Sequence, residues 1–152
     1  MLHQSITEIV TSRPIRVVHP DQTVREACYI LREAEEGAVA VVEDGKLVGI
    51  LGEHDVIARA ICANRPTRET AIREIMTHHP KTVSSTASLA EAMKIMGDGG
   101  FRHLPVIGDE ALLGILSMRD IPTQYRLLVE RFQEFQPRNK AQSQDGQLTM
   151  LV

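Results

Sequence analysis

The sequence predicts an α/β (α+β) protein made of two tandem repeats with the order β-α-β-β-α. The main observation is that residues 18–56 align without a gap with residues 83–121. Within each repeat, short β-branched runs alternate with segments whose apolar residues recur every three or four positions, the patterns of strands and amphipathic helices. A turn signal also separates the last two strands of each repeat, which indicates a hairpin.

The first repeat is preceded by a short helix at residues 5–10, where Ser5 and Glu8 have the spacing of a capping box. The Asp44-Gly45 pair between two apolar runs is a strong hairpin signal. The predicted elements that follow are a strand at 15–18, a helix at 23–35, strands at 38–42 and 47–51, and a helix at 53–63.

The second repeat shows the same order. Ser88 caps its first helix, with Glu91 three positions later. The predicted elements are a linker helix at 68–76, a strand at 81–83, a helix from 88, strands at 104–107 and 112–116, and a helix from 120 to about 135. We therefore expect one repeat within residues 1–66, the second within 67–135, and a flexible tail at 136–152, where polar residues predominate.

The duplication is supported by identities that chance would limit to about two or three in such a window. They include Gly49 with Gly114 and Asp55 with Asp120. One unit cannot cover both faces of its small sheet, so the two repeats are expected to pack together.

The composition excludes several classes of protein. A net charge of −3 provides no field that would attract nucleic acid or an anionic membrane. No apolar run is long enough to span a membrane and no signal peptide precedes the repeats, so we expect a cytoplasmic protein with reduced Cys28 and Cys62. The neighbouring His78 and His79 lack further ligands at metal-binding spacing, and no metal site is predicted.

Two stretches carry a family resemblance: LVGILGEHDV at residues 47–56 and LLGILSMRDI at 112–121. Each is an apolar strand that runs into a helix start bearing an aspartate. With the approach segments that precede Pro14 and Pro80, they resemble a tandem pair of cystathionine-β-synthase (CBS) domains, a Bateman module. The resemblance covers residues 5–126. It implies repeats packed about a pseudo-twofold axis, two clefts that bind adenosine derivatives, and a homodimer.

The resemblance also implies which residues line each cleft. For the main cleft they are Asp120, Ser117, Arg119, Ile115, Arg102, His103, Thr11, Arg16, Glu36 and Gly37. For the second, weaker cleft they are Asp55, His54, Ile50, Thr77, Phe101, Ala38 and again Arg102.

The two aspartates suit a ribose, because one carboxylate can accept hydrogen bonds from two adjacent hydroxyls. The alternative is that each merely caps its helix. The clefts differ, since Gly52 stands where the other repeat has Ser117, and Glu53 adds an anion where a phosphate would lie. We therefore expect the Asp120 cleft to bind more tightly.

The predicted function is that of a regulatory sensor that binds AMP, ADP or ATP, with NAD or S-adenosylmethionine also possible, and that catalyses no reaction. No motif that activates a nucleophile is present in the sequence. No cofactor is expected, and the regulated protein is unknown. The alternatives are a structural homodimerisation module with degenerate clefts and a small nucleotide hydrolase with His103 as its base.

Overall fold

Each repeat is organised around a hairpin formed by its two predicted apolar runs. The computed structural model of the chain describes residues 5–134. Its elements are α1 (Ile6–Thr11), β1 (Val17–Val18), α2 (Val24–Glu33), β2 (Ala38–Glu43), β3 (Lys46–Gly52), α3 (Glu53–Asp55) continued by a π-helix (Val56–Ile61), a 3₁₀ turn (Ile72–Glu74), β4 (Thr77–His78), β5 (Val83–Ser84), α4 (Leu89–Gly99), β6 (His103–Gly108), β7 (Ala111–Ser117), a 3₁₀ turn (Met118–Asp120) and α5 (Thr123–Glu134).

The two sheets repeat one pattern. In the first, the strand order is β1-β2-β3-β4, with β1 parallel to β2 and the other pairs antiparallel. In the second, the order is β5-β6-β7, with the matching parallel and antiparallel pairs. Both hairpins shift register at equivalent places, at Val41/Val42 and at Val106/Ile107. The predicted fold class, two packed α/β repeats, is confirmed.

The hairpins of the two repeats pack against each other. Ala38, Ala40 and Ile50 of the first repeat form a buried cluster with Ile115 of the second. Small alanines on β2 allow the backbones of β2 and β7 to come close, and these two strands are in contact. Ala38 and Ile50, predicted for the second cleft, and Ile115, predicted for the main cleft, lie at this contact.

The segments that precede the repeats cross over. Helix α1 contacts β7 and β6 of the second repeat, and the Thr7 hydroxyl donates to the Ser85 carbonyl at 3.2 Å. The linker does the reverse, because Ile72 and Ile75 are buried in the core of the first repeat. The residues just after α1 therefore lie next to the second repeat.

The linker helix predicted at 68–76 is wrong: only Ile72–Glu74 forms a turn of 3₁₀ helix. The N–H groups of Ile72 and Arg73 instead donate to the carbonyls of Gln22 and Pro20, at 2.8 and 3.0 Å. Tertiary hydrogen bonds thus replace the helical ones.

Two further helix predictions need correction. The segment expected as a helix at 53–63 is α-helical only over Glu53–Asp55 and then widens into the π-helix, in which Val56 and Ala60 stay buried. The helix expected from Asp120 begins at Thr123, because Pro122 follows a short 3₁₀ turn.

Helix α5 belongs to a second unit that starts at Pro122, whereas the strands of both repeats lie in the unit that ends at Ile121. The predicted tail at 136–152 lies outside the described residues. Among the described residues, no helix is long and apolar enough to cross a membrane.

Candidate functional site

Asp120 is the last residue of the 3₁₀ turn that follows β7. Its Oδ2 accepts the N–H of Ser117 at 2.7 Å, which closes the turn as the capping alternative requires. The side chain is nevertheless 14% exposed, so the capping bond leaves part of the carboxylate accessible. The equivalent Asp55 accepts the N–H of Gly52 at 2.9 Å and is 17% exposed. Both aspartates therefore combine a cap with an accessible carboxylate.

Arg13, which the sequence analysis did not single out, holds Asp120. Its two terminal nitrogens each donate to one carboxylate oxygen at 2.7 Å. One of them also donates to the carbonyl of Ile115 at 2.6 Å. The bond to Asp120 is the main cause that raises the pKa of Arg13 above its usual value, against the lowering effect of burial. The result is a bidentate, largely buried ion pair between the segment after α1 and the second repeat.

A second carboxylate faces the same guanidinium. Glu36 Oε2 lies 3.3 Å from Arg13 Nε, and the Glu36 side chain is only 4% exposed. The two atoms are close enough to attract, yet the N–H is not aligned for a hydrogen bond and both atoms are buried without another partner. Arg13 is therefore fully bonded to Asp120 and incompletely bonded to Glu36.

His103 joins the repeats on the other side of Glu36. Its Nε2 donates to the Glu36 carbonyl at 2.7 Å, since a carbonyl can only accept. Burial is the main cause that lowers the pKa of His103, and the nearby Arg119 adds to this effect. The imidazole is thus held neutral, with its proton on Nε2 and its Nδ1 toward Gly52.

A small cavity opens beside the Arg13–Asp120 pair. Its volume is about 10 Å³, room for roughly one water molecule. Both repeats line it: Val10, Arg13, Pro14, Ile15, Arg16, Glu36 and Ala40 from the first half, and Leu112, Gly114 and Ile115 from the second. Seven of the ten lining residues are apolar, and the other three are two cations and one carboxylate. An adenine base would require this space to widen.

The structure brings together most residues predicted for the main cleft. Arg16, Glu36 and Ile115 line the cavity, and Gly37 lies between His103 and the Arg119 guanidinium. Three further predicted residues do not line the cavity. The Ser117 hydroxyl is 2% exposed and accepts the N–H of Arg119 at 3.3 Å, the Thr11 hydroxyl donates to the Thr7 carbonyl at 2.6 Å, and Arg102 is exposed.

Several residues predicted for the second cleft lie on or beside β3. Ala38 and Ile50 are buried in the cluster between the sheets, and Thr77 pairs with Ile50 in β4. His54 is exposed and Phe101 is half-buried against Gly99. Asp55 is 3.8 Å from Arg59 Nε, a looser contact than the one between Arg13 and Asp120.

One group of possible metal ligands occurs among the described residues. Donor atoms of His19, Asp21 and Glu43 lie within 4.8 Å of one another. The Arg73 guanidinium already pairs with Asp21 at 2.7 Å and with Glu43 at 3.7 Å. A metal cation would have to displace the Arg73 guanidinium from these carboxylates. We therefore interpret the group as an ion-pair network.

Comparisons with known proteins identify the family of the chain. The family model described as the CBS domain matches residues 6–61 and 72–122. The mitochondrial CBS domain-containing protein CBSX3 of Arabidopsis thaliana is 33% identical over 131 residues, which cover 83% of this chain and 62% of that protein. The chain therefore spans less than two thirds of the length of this relative.

Two solved structures are similar. A CBS-domain containing protein from Agrobacterium tumefaciens is 28% identical, with a TM-score of 0.68 over 77% of this chain and 95% of the other. A CBS domain protein of Pyrobaculum aerophilum, solved in complex with AMP, is 23% identical, with a TM-score of 0.72 over 84% of this chain and 99% of the other. The second comparison concerns the fold alone.

Proposed function

Because the chain belongs to the CBS-domain family, we propose that it is a regulatory module that binds an adenosine nucleotide in the Asp120 cleft and has no catalytic activity. One observation carries the proposal: the partly exposed Asp120 carboxylate after β7 is bonded to Arg13, which lines an inter-repeat cavity together with apolar residues and a second cation, Arg16. A carboxylate suits the ribose diol, apolar walls suit a base, and cations suit a phosphate.

The proposed ligand contacts follow from the positions of the side chains. Asp120 binds the ribose, Ile115 and Ala40 contact the base, and Arg16 faces the phosphate. Arg102 and Arg119, which are exposed at the same ends of β6 and β7, add positive charge. A nucleotide held by both repeats stabilises one of their arrangements over others, which is how binding becomes a signal to a partner protein.

The Pyrobaculum aerophilum protein in complex with AMP supports an adenosine ligand for this fold. His103 gives little support to a hydrolase, because its Nε2 is bound to the Glu36 carbonyl and its pKa is lowered by burial. A partly buried imidazole that is bonded to the Glu36 carbonyl fits a positioning role, with no reaction assigned to it.

The test is a thermal melt of the purified chain with adenosine, AMP, ADP, ATP, NAD and S-adenosylmethionine, together with mass spectrometry of co-purified small molecules. A nucleotide at one hundred times its Kd is expected to raise Tm by about 5 °C or more. Asp120→Ala should remove the shift, whereas Asp55→Ala should leave most of it. Release of phosphate or adenine during long incubation would contradict the absence of catalysis.

A structural homodimerisation module is the second candidate. It is favoured by the small cavity and by Ile57 and Ile61, which are 56% and 58% exposed on the π-helix. These side chains are four positions apart and offer an apolar surface to a second copy. A dimer in sedimentation that Ile57→Asp converts to monomer, combined with a flat melting response to every ligand, would favour this function over nucleotide sensing.

A further inference from the structure

We propose that Arg13 is an internal competitor for the Asp120 carboxylate, so that a ribose can bind only when Arg13 moves to Glu36. This inference rests on the proposed function, because it assumes that Asp120 is where the ribose binds. It assigns to Arg13 the role of an affinity-determining residue that acts through Asp120.

The first argument is the number of acceptor positions on Asp120. An ionised carboxylate offers about four lone-pair sites. Three hydrogen bonds already reach it, two from Arg13 and one from the Ser117 N–H. A ribose diol brings two donors to the one remaining site. Because the Ser117 bond closes the 3₁₀ turn, the bonds from Arg13 are the ones that must yield.

The second argument is that Arg13 has a place to go. Glu36 Oε2 is 3.3 Å from Arg13 Nε, and both atoms are buried without an aligned hydrogen bond. A small rotation of the guanidinium away from Asp120 would align this pair. The charge of Arg13 then stays compensated while Asp120 becomes free. Two carboxylates that share one guanidinium thus form a two-position switch.

The third argument is the contrast with the first repeat. The residue that precedes the matching proline is His79, which is exposed. Arg59 near Asp55 instead donates to the carbonyls of Ile75 and Met76 at 3.2 Å and stays 3.8 Å from the carboxylate. Asp55 therefore has no bidentate partner among the described residues, and the competition is specific to the cleft of Asp120.

The position of Arg13 follows from the crossing of α1. The helix contacts β7, and a Cβ at Gly114 would lie only 3.0 Å from Val10 Cβ, which shows how closely the strand and the helix end approach. Arg13 is two residues past the end of α1 and lines the cavity with Arg16. Release of Asp120 would therefore also loosen the segment that links α1 to β1.

The experiment is a titration of adenosine and of AMP, by calorimetry, into wild type, Arg13→Gln and Arg16→Gln. Adenosine carries the diol without a phosphate, so it reports on competition for Asp120 without the loss of a phosphate-binding cation. We expect Arg13→Gln to bind adenosine at least about tenfold more tightly than wild type, which corresponds to about 1.4 kcal/mol. Arg16→Gln removes the same charge from the same cavity and should weaken AMP without strengthening adenosine.

Each result decides the matter. Adenosine binding by Arg13→Gln that is at least about tenfold tighter than by wild type supports the competition. Wild-type binding that Arg13→Gln leaves unchanged or weakens overturns the competition while the proposed function stands. Failure of wild type and all variants to bind either ligand overturns the proposed function and the competition with it. Arg13→Lys, which keeps the charge but loses the bidentate geometry, should be intermediate and serves if Arg13→Gln does not fold.

Discussion

Arg13 and Asp120 are 107 positions apart in the chain, and two hydrogen bonds of 2.7 Å join their side chains. These bonds connect the segment after α1 to the carboxylate in the turn that follows β7, the last strand of the second repeat. They exist because α1 packs on the other repeat and not on its own. The ion pair thus links the two repeats, and its guanidinium occupies the carboxylate to which the ribose is proposed to bind.

The stability that this pair provides can be measured without any ligand. Urea unfolding of wild type, Arg13→Gln, Asp120→Asn and the double variant should give a coupling free energy of about 1–3 kcal/mol, because the pair is bidentate and largely buried. Effects of the two substitutions that add within about 0.5 kcal/mol would show that the pair is not formed in solution.

Gly114 is expected to be required for the docking of α1. A Cβ at Gly114 would meet Val10 Cβ at 3.0 Å and the Val10 carbonyl oxygen at 3.1 Å, and backbone cannot rotate aside. Gly114→Ala should therefore lower the free energy of unfolding by about 1–3 kcal/mol. The matched control is Gly97→Ala at an exposed position of α4, where nothing lies within 4 Å and helix propensity predicts a gain of up to about 1 kcal/mol. Equal effects at the two sites would contradict the close packing.

Both repeats have a glycine at such a close contact, and this repeated glycine could be recognised from the sequence. At Gly49 a Cβ would lie 2.6 Å from Met76 Sδ, so the repeated glycine marks where the crossing segment meets the sheet. The hairpins and capping boxes could also be predicted, because each depends on residues that are neighbours in the sequence. Ser5, Thr23 and Ser88 all accept the N–H of a glutamate three positions later.

Other features could not be predicted from neighbouring residues. The linker was expected to form a second lead-in helix at 68–76, but the N–H groups of Ile72 and Arg73 bond to distant carbonyls. Arg13 lies outside the aligned window, and nothing near it in sequence indicates a partner 107 positions away. The Ser117 hydroxyl accepts the N–H of Arg119 in a residue that is 2% exposed, and its contact with a ligand stays a prediction.

His103 should make stability depend on pH. Burial lowers its pKa in the folded state below the unfolded value of 6.5, so the unfolded chain binds the proton first as pH falls. The contribution of the neutral imidazole is fully present above pH 6.5 and is lost as pH falls from 6.5 toward the folded pKa. Denaturant unfolding at pH 7.5 and 5.5 should therefore show a larger loss for wild type than for His103→Gln.

The control for this prediction is His54→Gln, because His54 is exposed. This variant should lose as much stability between the two pH values as wild type does. A pH dependence that His103→Gln retains in full would assign the effect to another group.

Calorimetric titration of AMP into wild type, Asp120→Asn and Asp55→Asn tests the nucleotide site most directly. The asparagine variants keep the shape of each side chain and remove the charge that accepts both ribose hydroxyls. We predict one tight site per wild-type chain, an affinity at least about tenfold lower for Asp120→Asn, and an affinity close to wild type for Asp55→Asn. No heat of binding in wild type, or a loss confined to Asp55→Asn, would contradict the assignment of the site to Asp120.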